Sequence, residues 1–312
     1  MTPAYAILAT VGAAAFFALA DIFLRNALRF TTPVMASIAT VAVQWLSYTA
    51  LILATGRFSS LNASGLLWFA VAGLLNPVLF LVFYLLGIQR IGVARSSPLK
   101  GSSPIFAVAC AAAVLGERLH ALQYLGIALV IGGILIISTE RTGGWPRAAR
   151  ASAPLPSVSH EESPPEAAAR RKIDFLFPLL AGAVTGVSSI LFKISLGKLP
   201  SPLLGAWIGT AEGLLFFPLL AFFFPPGQRF RLRPPAYPWL VLGGLAATVA
   251  VYGLILAIEL GQVSIVATLV QTSPLFVLLL SVLFLRQTER VTPRVVLGGT
   301  LTVGGGVLAS LF

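Results

Sequence analysis

Two stretches decide how this chain is read: SSPIFAVACAAAVLGERLHALQYLGIALVIGG (Ser102–Gly133) and TSPLFVLLLSVLFLRQTERVTPRVVLGGTLTVGG (Thr272–Gly305). Each opens on hydroxyls and a proline, continues as an apolar run, crosses a short charged loop and closes on a second apolar run bearing glycines. With two extra residues allowed in the second loop, Gly126 falls on Gly298, and Gly132 and Gly133 fall on Gly304 and Gly305. The match extends upstream, where GIQRIGVARSSPLKGSSPIFAV (Gly87–Val108) lies over AIELGQVSIVATLVQTSPLFVL (Ala257–Leu278) at a constant offset. Near the start of each half, Arg25 falls on Lys193. Apolar helices coincide easily. Joint coincidence at Ser-Pro, at the charged loop and at the glycine pair marks an internal duplication.

Composition sets the solvent. The chain has 312 residues, 57% of them apolar and 10% charged, with mean hydropathy +0.94. Soluble domains carry about 25% charged residues, so this chain cannot cover an ordinary water-facing surface. The net charge of +11 comes from Lys and Arg placed mostly at the ends of apolar runs. That pattern sets topology against anionic lipid rather than gripping nucleic acid. A single cysteine, Cys110, excludes an internal disulfide, and His120 and His160 stand isolated. No HExxH, CxxC or Walker pattern occurs, so neither metal nor cofactor is expected.

Spanning the hydrocarbon takes about 20 apolar residues per helix. Candidate spans are 4–25, 33–54, 66–88, 96–115, 121–138, 174–195, 202–224, 236–258, 263–285 and 292–312. The first lacks a basic leader and reads as a retained span, not a signal peptide. Residues 139–173, rich in Pro, Ser, Ala and charge, read as a disordered linker, because such composition cannot bury enough apolar area to offset ordering entropy. It separates two halves, 1–138 and 174–312. The expectation is an all-α integral membrane protein with ten transmembrane helices in two five-helix repeats. Five is odd, so the second copy must enter the bilayer upside down. Inverted repeats suit secondary transporters, whose halves exchange conformations around a central site. Proline frees a backbone carbonyl one turn back, and such backbone is tolerated in a membrane against protein or a wet cavity. SSPIF and TSPLF are therefore expected to face one another across a central passage. A packing kink eased by the neighbouring hydroxyls is the competing account.

The duplicated segments, with Gly116-Glu117-Arg118 before the last helix of the first half, resemble the drug/metabolite transporter superfamily, in particular its EamA-type members. The second copy departs from that loop, with Arg286-Gln287-Thr288-Glu289. The resemblance covers nearly the whole chain outside the linker. It implies two EamA repeats and export or exchange of small metabolites by alternating access. The expected place is the bacterial inner (plasma) membrane. Expected partners are a small-molecule substrate, a proton as candidate coupling ion, and lipid, with no nucleic acid; the chain is expected as a monomer or homodimer. The resemblance places both termini in the cytoplasm. Loop charge disagrees. With termini inside, the cytoplasmic loops would hold Arg57, Arg118, Lys193 and Lys198, and the opposite side the other basic residues, including Arg229, Arg231, Arg233, Arg286, Arg290 and Arg294. The positive-inside rule thus favours termini outside and linker inside.

Ionisable groups inside spans are functional candidates. Asp21 has Arg25 one turn later, a spacing that also permits a plain ion pair. Glu212, in GTAEGLL near the middle of the seventh span, is the leading candidate for proton coupling or for holding a cation. Lys100, beside Ser102-Ser103-Pro104, is placed to hold a carboxylate or phosphate, or else snorkels to the interface. Lys193 and Arg25 read more simply as headgroup anchors. Gln44, Asn76, Tyr84, Trp207, Tyr252, Gln271, Thr272 and Ser273 add polar or aromatic groups to a candidate passage, with Ser103. Some of these will bond between helices instead. Gly182-x-x-x-Gly186 and Gly205-x-x-x-Gly209 read as packing seams. A secondary transporter of a small polar or amphipathic metabolite, amino-acid-like or drug-like and exported, is the leading function. A lipid-modifying membrane enzyme would need a nucleophile–base or metal constellation that this sequence does not offer. An accessory membrane subunit is the third reading.

Overall fold

The structure, a computed structural model, describes residues 3–56, 62–91, 99, 101–139, 164–222, 231–284 and 293–310. Its helices are α1 (Pro3–Ala27), α2 (Pro33–Thr55), α3 (Ala63–Gly73), α4 (Phe80–Ile91), α5 (Ser103–Cys110), α6 (Ala121–Thr139), α7 (Pro164–Lys198), α8 (Pro202–Ala221), α9 (Tyr237–Leu260), α10 (Val263–Leu269), α11 (Ser273–Phe284) and α12 (Pro293–Ser310). A π-helical turn, Leu74–Leu79, joins α3 to α4; another, Ala111–Leu115, extends α5; a 3₁₀ turn, Val270–Thr272, joins α10 to α11. Among the described residues, six helices are long and apolar enough to cross a membrane, and shorter apolar helices at Ser103–Leu115, Ala121–Gly133, Val263–Val277 and Leu297–Ala309 accompany them.

Local chemistry explains the boundaries. Thr32 caps α2 by accepting from Met35 N at 3.3 Å, with Pro33 at the first helical position. Ser201 does the same for α8, accepting from Leu204 N at 3.4 Å ahead of Pro202. A hydroxyl satisfies an orphan N–H there, and proline has none to lose. Because Thr32-Pro33 and Ser201-Pro202 open the second helix of each half, the duplication is visible in the caps as well. The 66–88 span is not the single regular helix expected. Asn76 lies at φ −135°, ψ 109° inside the π turn, ahead of Pro77. The proline ring pushes its predecessor out of the helical region, so the helix breaks there. The helix α7 begins at Pro164, inside the segment expected to be linker. A proline start followed by PEAAARRK, with its good helix formers, accounts for the early turns. The rest of that linker, 140–163, lies outside the described residues.

Packing follows the repeat. The helix α1 packs on α9, and α7 on α3 and α4; α2 packs on α8, and α6 on α12. The first two pairs exchange under the repeat, and the last two map onto themselves. The α6–α12 crossing shows the symmetry atom by atom. A Cβ at Gly126 would lie 2.6 Å from Gly305 O, and one at Gly305 2.6 Å from Gly126 O, while Gly133 meets the Gly298 carbonyl. Each glycine faces the repeat counterpart of the other, as a two-fold axis between the helices requires.

Both ends of the described chain lie at one face of the bundle, here the termini face. Gln123, at the start of α6, donates to Ala309 O at 3.5 Å. Ala6 sits beside the Gly261 turn, and Glu117 reaches Val263 at 2.8 Å. At the opposite, linker face, Thr31 and Leu232 form a short antiparallel bridge. The main apolar core sits toward the termini face. It joins Tyr48 and Ile52 of α2, Phe69 and Ala72 of α3, Ala111, Ile190 to Leu196 of α7, Leu203 and Leu204 of α8, Ile255 to Ile258 of α9, and Val263 and Val266 of α10.

Candidate functional site

The Ser-Pro stretches do meet. Gln271 Nε2 donates to Ser103 Oγ at 3.4 Å and to Gly101 O at 3.5 Å, so the broken start of α5 faces the 3₁₀ break ahead of α11. Ser103 and Thr272 are both buried. The outer hydroxyls serve the breaks themselves: Ser102 Oγ donates to Leu99 O at 2.6 Å, and Thr272 Oγ1 to Leu269 O at 2.8 Å. One hydroxyl eases each kink, and the residue beside it reaches across to the other stretch. Ser273 opens α11 half-buried. The helix α7 presses on this region through Gly186, where a Cβ would lie 2.7 Å from Ala107 N and 2.9 Å from Ser103 O.

A second polar locus lies where α8 crosses α3. Glu212 packs its Oε2 against Gly73, and that buried oxygen has no hydrogen-bond partner among the described residues. A Cβ at Gly209, one turn earlier on α8, would lie 3.8 Å from Gly73 Cα, so two glycines let the backbones close around the carboxyl. The π turn carrying Asn76 starts at the next residue of α3. Turns of that kind inside helices often mark functional sites. A Cβ at Gly213 would lie 3.2 Å from Val41 Cγ1 and 3.3 Å from Pro77 Cγ, so α8 packs closely there too. Gln44, 6% exposed, is on the neighbouring α2.

Toward the termini face, Trp207 stacks on Trp45 with centroids 6.4 Å apart and donates Nε1 to Thr49 Oγ1 at 2.9 Å. The Trp45 indole nitrogen is buried and, among the described residues, lacks a partner, as does Thr40 Oγ1. These two atoms and Glu212 Oε2 all belong to α2 and α8, the helices at the centre of the two-fold. Tyr84 stacks on Phe80 at 5.7 Å on α4. Tyr252 is half-buried against the main core, and Asp21 is exposed on α1. Lys100 lies outside the described residues.

Two residues take roles that the sequence does not show. Lys193 does not reach for headgroups; its ammonium donates to Ile258 O at 2.7 Å, Gly261 O at 2.8 Å and Glu259 O at 3.1 Å. Glu117, noted only as part of a loop motif, accepts from Val263 N at 2.8 Å, Ser264 N at 3.2 Å and Ser264 Oγ at 2.7 Å. The match of Lys193 with Arg25 shows a repeated cation in the sequence but not the direction in which it turns.

Compared with known proteins, the chain matches the EamA-like transporter family twice, over residues 4–139 and 172–311. A solved crystal structure is similar with a TM-score of 0.76 over 99% of this chain and 98% of its own; at 18% identity that likeness shows the fold alone. No curated protein matches.

Proposed function

The chain belongs to the EamA-like transporter family, and on that premise we propose that it is a secondary active transporter exporting a small polar or amphipathic metabolite by alternating access between its inverted halves. Members of this family are membrane transporters, not enzymes. The substrate read from the residues is amino-acid-like or drug-like, with a proton as the coupling ion and the bacterial inner membrane as the location. The protein works as a monomer or homodimer. The observation that carries the reading is Glu212, a carboxyl on α8 with one buried oxygen that has no partner among the described residues, beside a broken helix. Buried polar groups are nearly always paired, and an ionisable one within a span is expensive to keep. An oxygen held this way has capacity for one more hydrogen, carried by the carboxyl itself or offered by a cationic group of the substrate. Ser103, Gln271, Thr272 and Ser273 supply neutral polar contacts where the two broken helices meet, and Gln44, Asn76, Trp207 and Tyr252 extend them along neighbouring helices. Lys100 completes the proposed set toward an anionic group, and Asp21 adds a second carboxyl to that of Glu212.

The test is flux in proteoliposomes. A thermal-shift screen against amino acids, amines and organic acids first identifies a ligand. Glu212→Gln is then expected to cut proton-driven flux of that ligand at least about a hundredfold, while melting within a few degrees of wild type. Wild-type flux in that variant would remove Glu212 from the mechanism.

A further inference from the structure

One turn in this bundle is held from both sides by opposite charges, one brought by helix α7 and one by the loop ahead of α6. The helix α9 ends at Leu260 and α10 begins at Val263, leaving Gly261 and Gln262 between them. The last carbonyls of a helix lack internal donors and sit at its negative end; the first N–H groups lack acceptors and sit at its positive end. Lys193 covers the carbonyls of Ile258, Glu259 and Gly261 at 2.7–3.1 Å. Glu117 covers the N–H groups of Val263 and Ser264, with the Ser264 hydroxyl, at 2.7–3.2 Å.

These contacts cross the boundaries that a rocking transporter must open. Glu117 belongs to the first half and its partners to the second. Lys193 stands on α7, which packs on α3 and α4, whereas the carbonyls it reaches belong to the end of α9, which packs on α1, and to Gly261 just after it. Around the turn lies the apolar core that joins both halves at the termini face, with Ala257, Ile258, Val263, Leu196, Leu199 and Ala111 all buried. Lys198 adds a contact there, 5.0 Å over the ring of Trp68. The buried apolar cluster at the linker face is smaller: Ala27, Ala36, Ala236 and Leu240, with partly buried neighbours from the same part of the bundle. Among the described residues, it includes none from α5 or α7.

We propose that Glu117 and Lys193 are the two arms of an electrostatic latch that holds the termini face shut, and that the transport cycle releases it when that face opens. This rests on the alternating-access reading above. Glu117 is the arm between halves, and Lys193 fixes the turn that receives it. The duplication places Arg25 at the position of Lys193 and Glu289 at that of Glu117; Glu289 lies outside the described residues, and the proposal concerns the termini face alone.

The test needs no substrate. In a Cys110→Ser background, Ala257→Cys puts a thiol at a fully buried position beside the turn. Its reaction with a membrane-impermeant maleimide is followed on purified protein in nanodiscs. Glu117→Gln and Lys193→Met are each expected to raise the labelling rate about tenfold or more, the factor in an opening equilibrium that loss of one charged hydrogen-bond partner brings. Lys193→Arg, which keeps the charge, is expected to stay within about threefold of the parent. Arg25→Met, near the other face, is expected to leave labelling unchanged. Equal labelling in the parent and in folded Glu117→Gln overturns the latch, even if Lys193→Met fails to fold. So does an equal rise with Arg25→Met, which would mean general loosening. Failure of the latch is separable from failure of the transport reading: the first is unchanged labelling with Glu212→Gln still defective in flux, the second wild-type flux in Glu212→Gln whatever the labelling.

Discussion

Glu212 and Gly73 form one unit divided between two helices. The carboxyl occupies space that any larger residue at 73 would need: a Cβ there would collide with Glu212 Oε2 and stand 2.8 Å from Gly209 Cα. Overpacking of a closed seam costs about 1–3 kcal/mol. Gly73→Ala is therefore expected to lower the melting temperature measurably and to lose flux, because the carboxyl must move. Adding Glu212→Ala removes one of the two collisions, so the double variant should recover part of the stability and none of the flux; full recovery, or none, would show that the carboxyl is not what fills the site. Half of this unit was legible in the sequence. An ionisable residue amid GTAEGLL stands out without coordinates, whereas Gly73 is one of 29 glycines and only the crossing of α8 over α3 gives it a role. Lys193 has the same lesson in reverse. Its charge was visible, but a lysine near a helix end looks identical whether it snorkels or turns inward onto carbonyls.

The α6–α12 pair gives a sharper test, because the glycines aligned by the repeat divide into two kinds. Gly126, Gly133 and Gly305 sit where a Cβ would meet the facing backbone, whereas Gly132 and Gly304 have nothing within 4 Å. Gly305→Ala is expected to destabilise by about 1–3 kcal/mol through overpacking. Gly132→Ala is expected to be neutral or to stabilise by up to about 1 kcal/mol, since alanine is the better helix former. Thermal melts of the two variants check this, and similar shifts would refute the seam. The alignment found both glycine pairs but could not tell seam from open face, since adjacent helix residues differ by roughly 100° in direction and the sequence does not say where the partner helix lies. The break at Asn76-Pro77 was likewise present in the letters. It was read as part of one span because the apolar run continues through it, and hydropathy does not register a lost backbone hydrogen bond.

On the scale of the whole molecule, the two halves pack about a two-fold that passes between α2 and α8 and between α6 and α12, with both ends of the chain at one face. Arg118, Lys193 and Lys198 lie toward that face; Arg25, Arg29, Arg231 and Arg233 lie toward the other. The positive-inside rule then predicts the linker face in the cytoplasm. Reporter fusions at residue 155 and at the C-terminus are expected to report cytoplasmic and external positions respectively; the reverse would show that the family's usual orientation prevails over loop charge. What the sequence determined by itself was solvent, duplication and inversion, because composition, periodicity and the parity of the spans survive without coordinates. Only the tertiary structure decided at which face the larger apolar core lies, which glycines touch and which charges meet at the α9–α10 turn. Those depend on helix rotation and crossing, which are set by side chains distant along the chain that meet only once the bundle has formed.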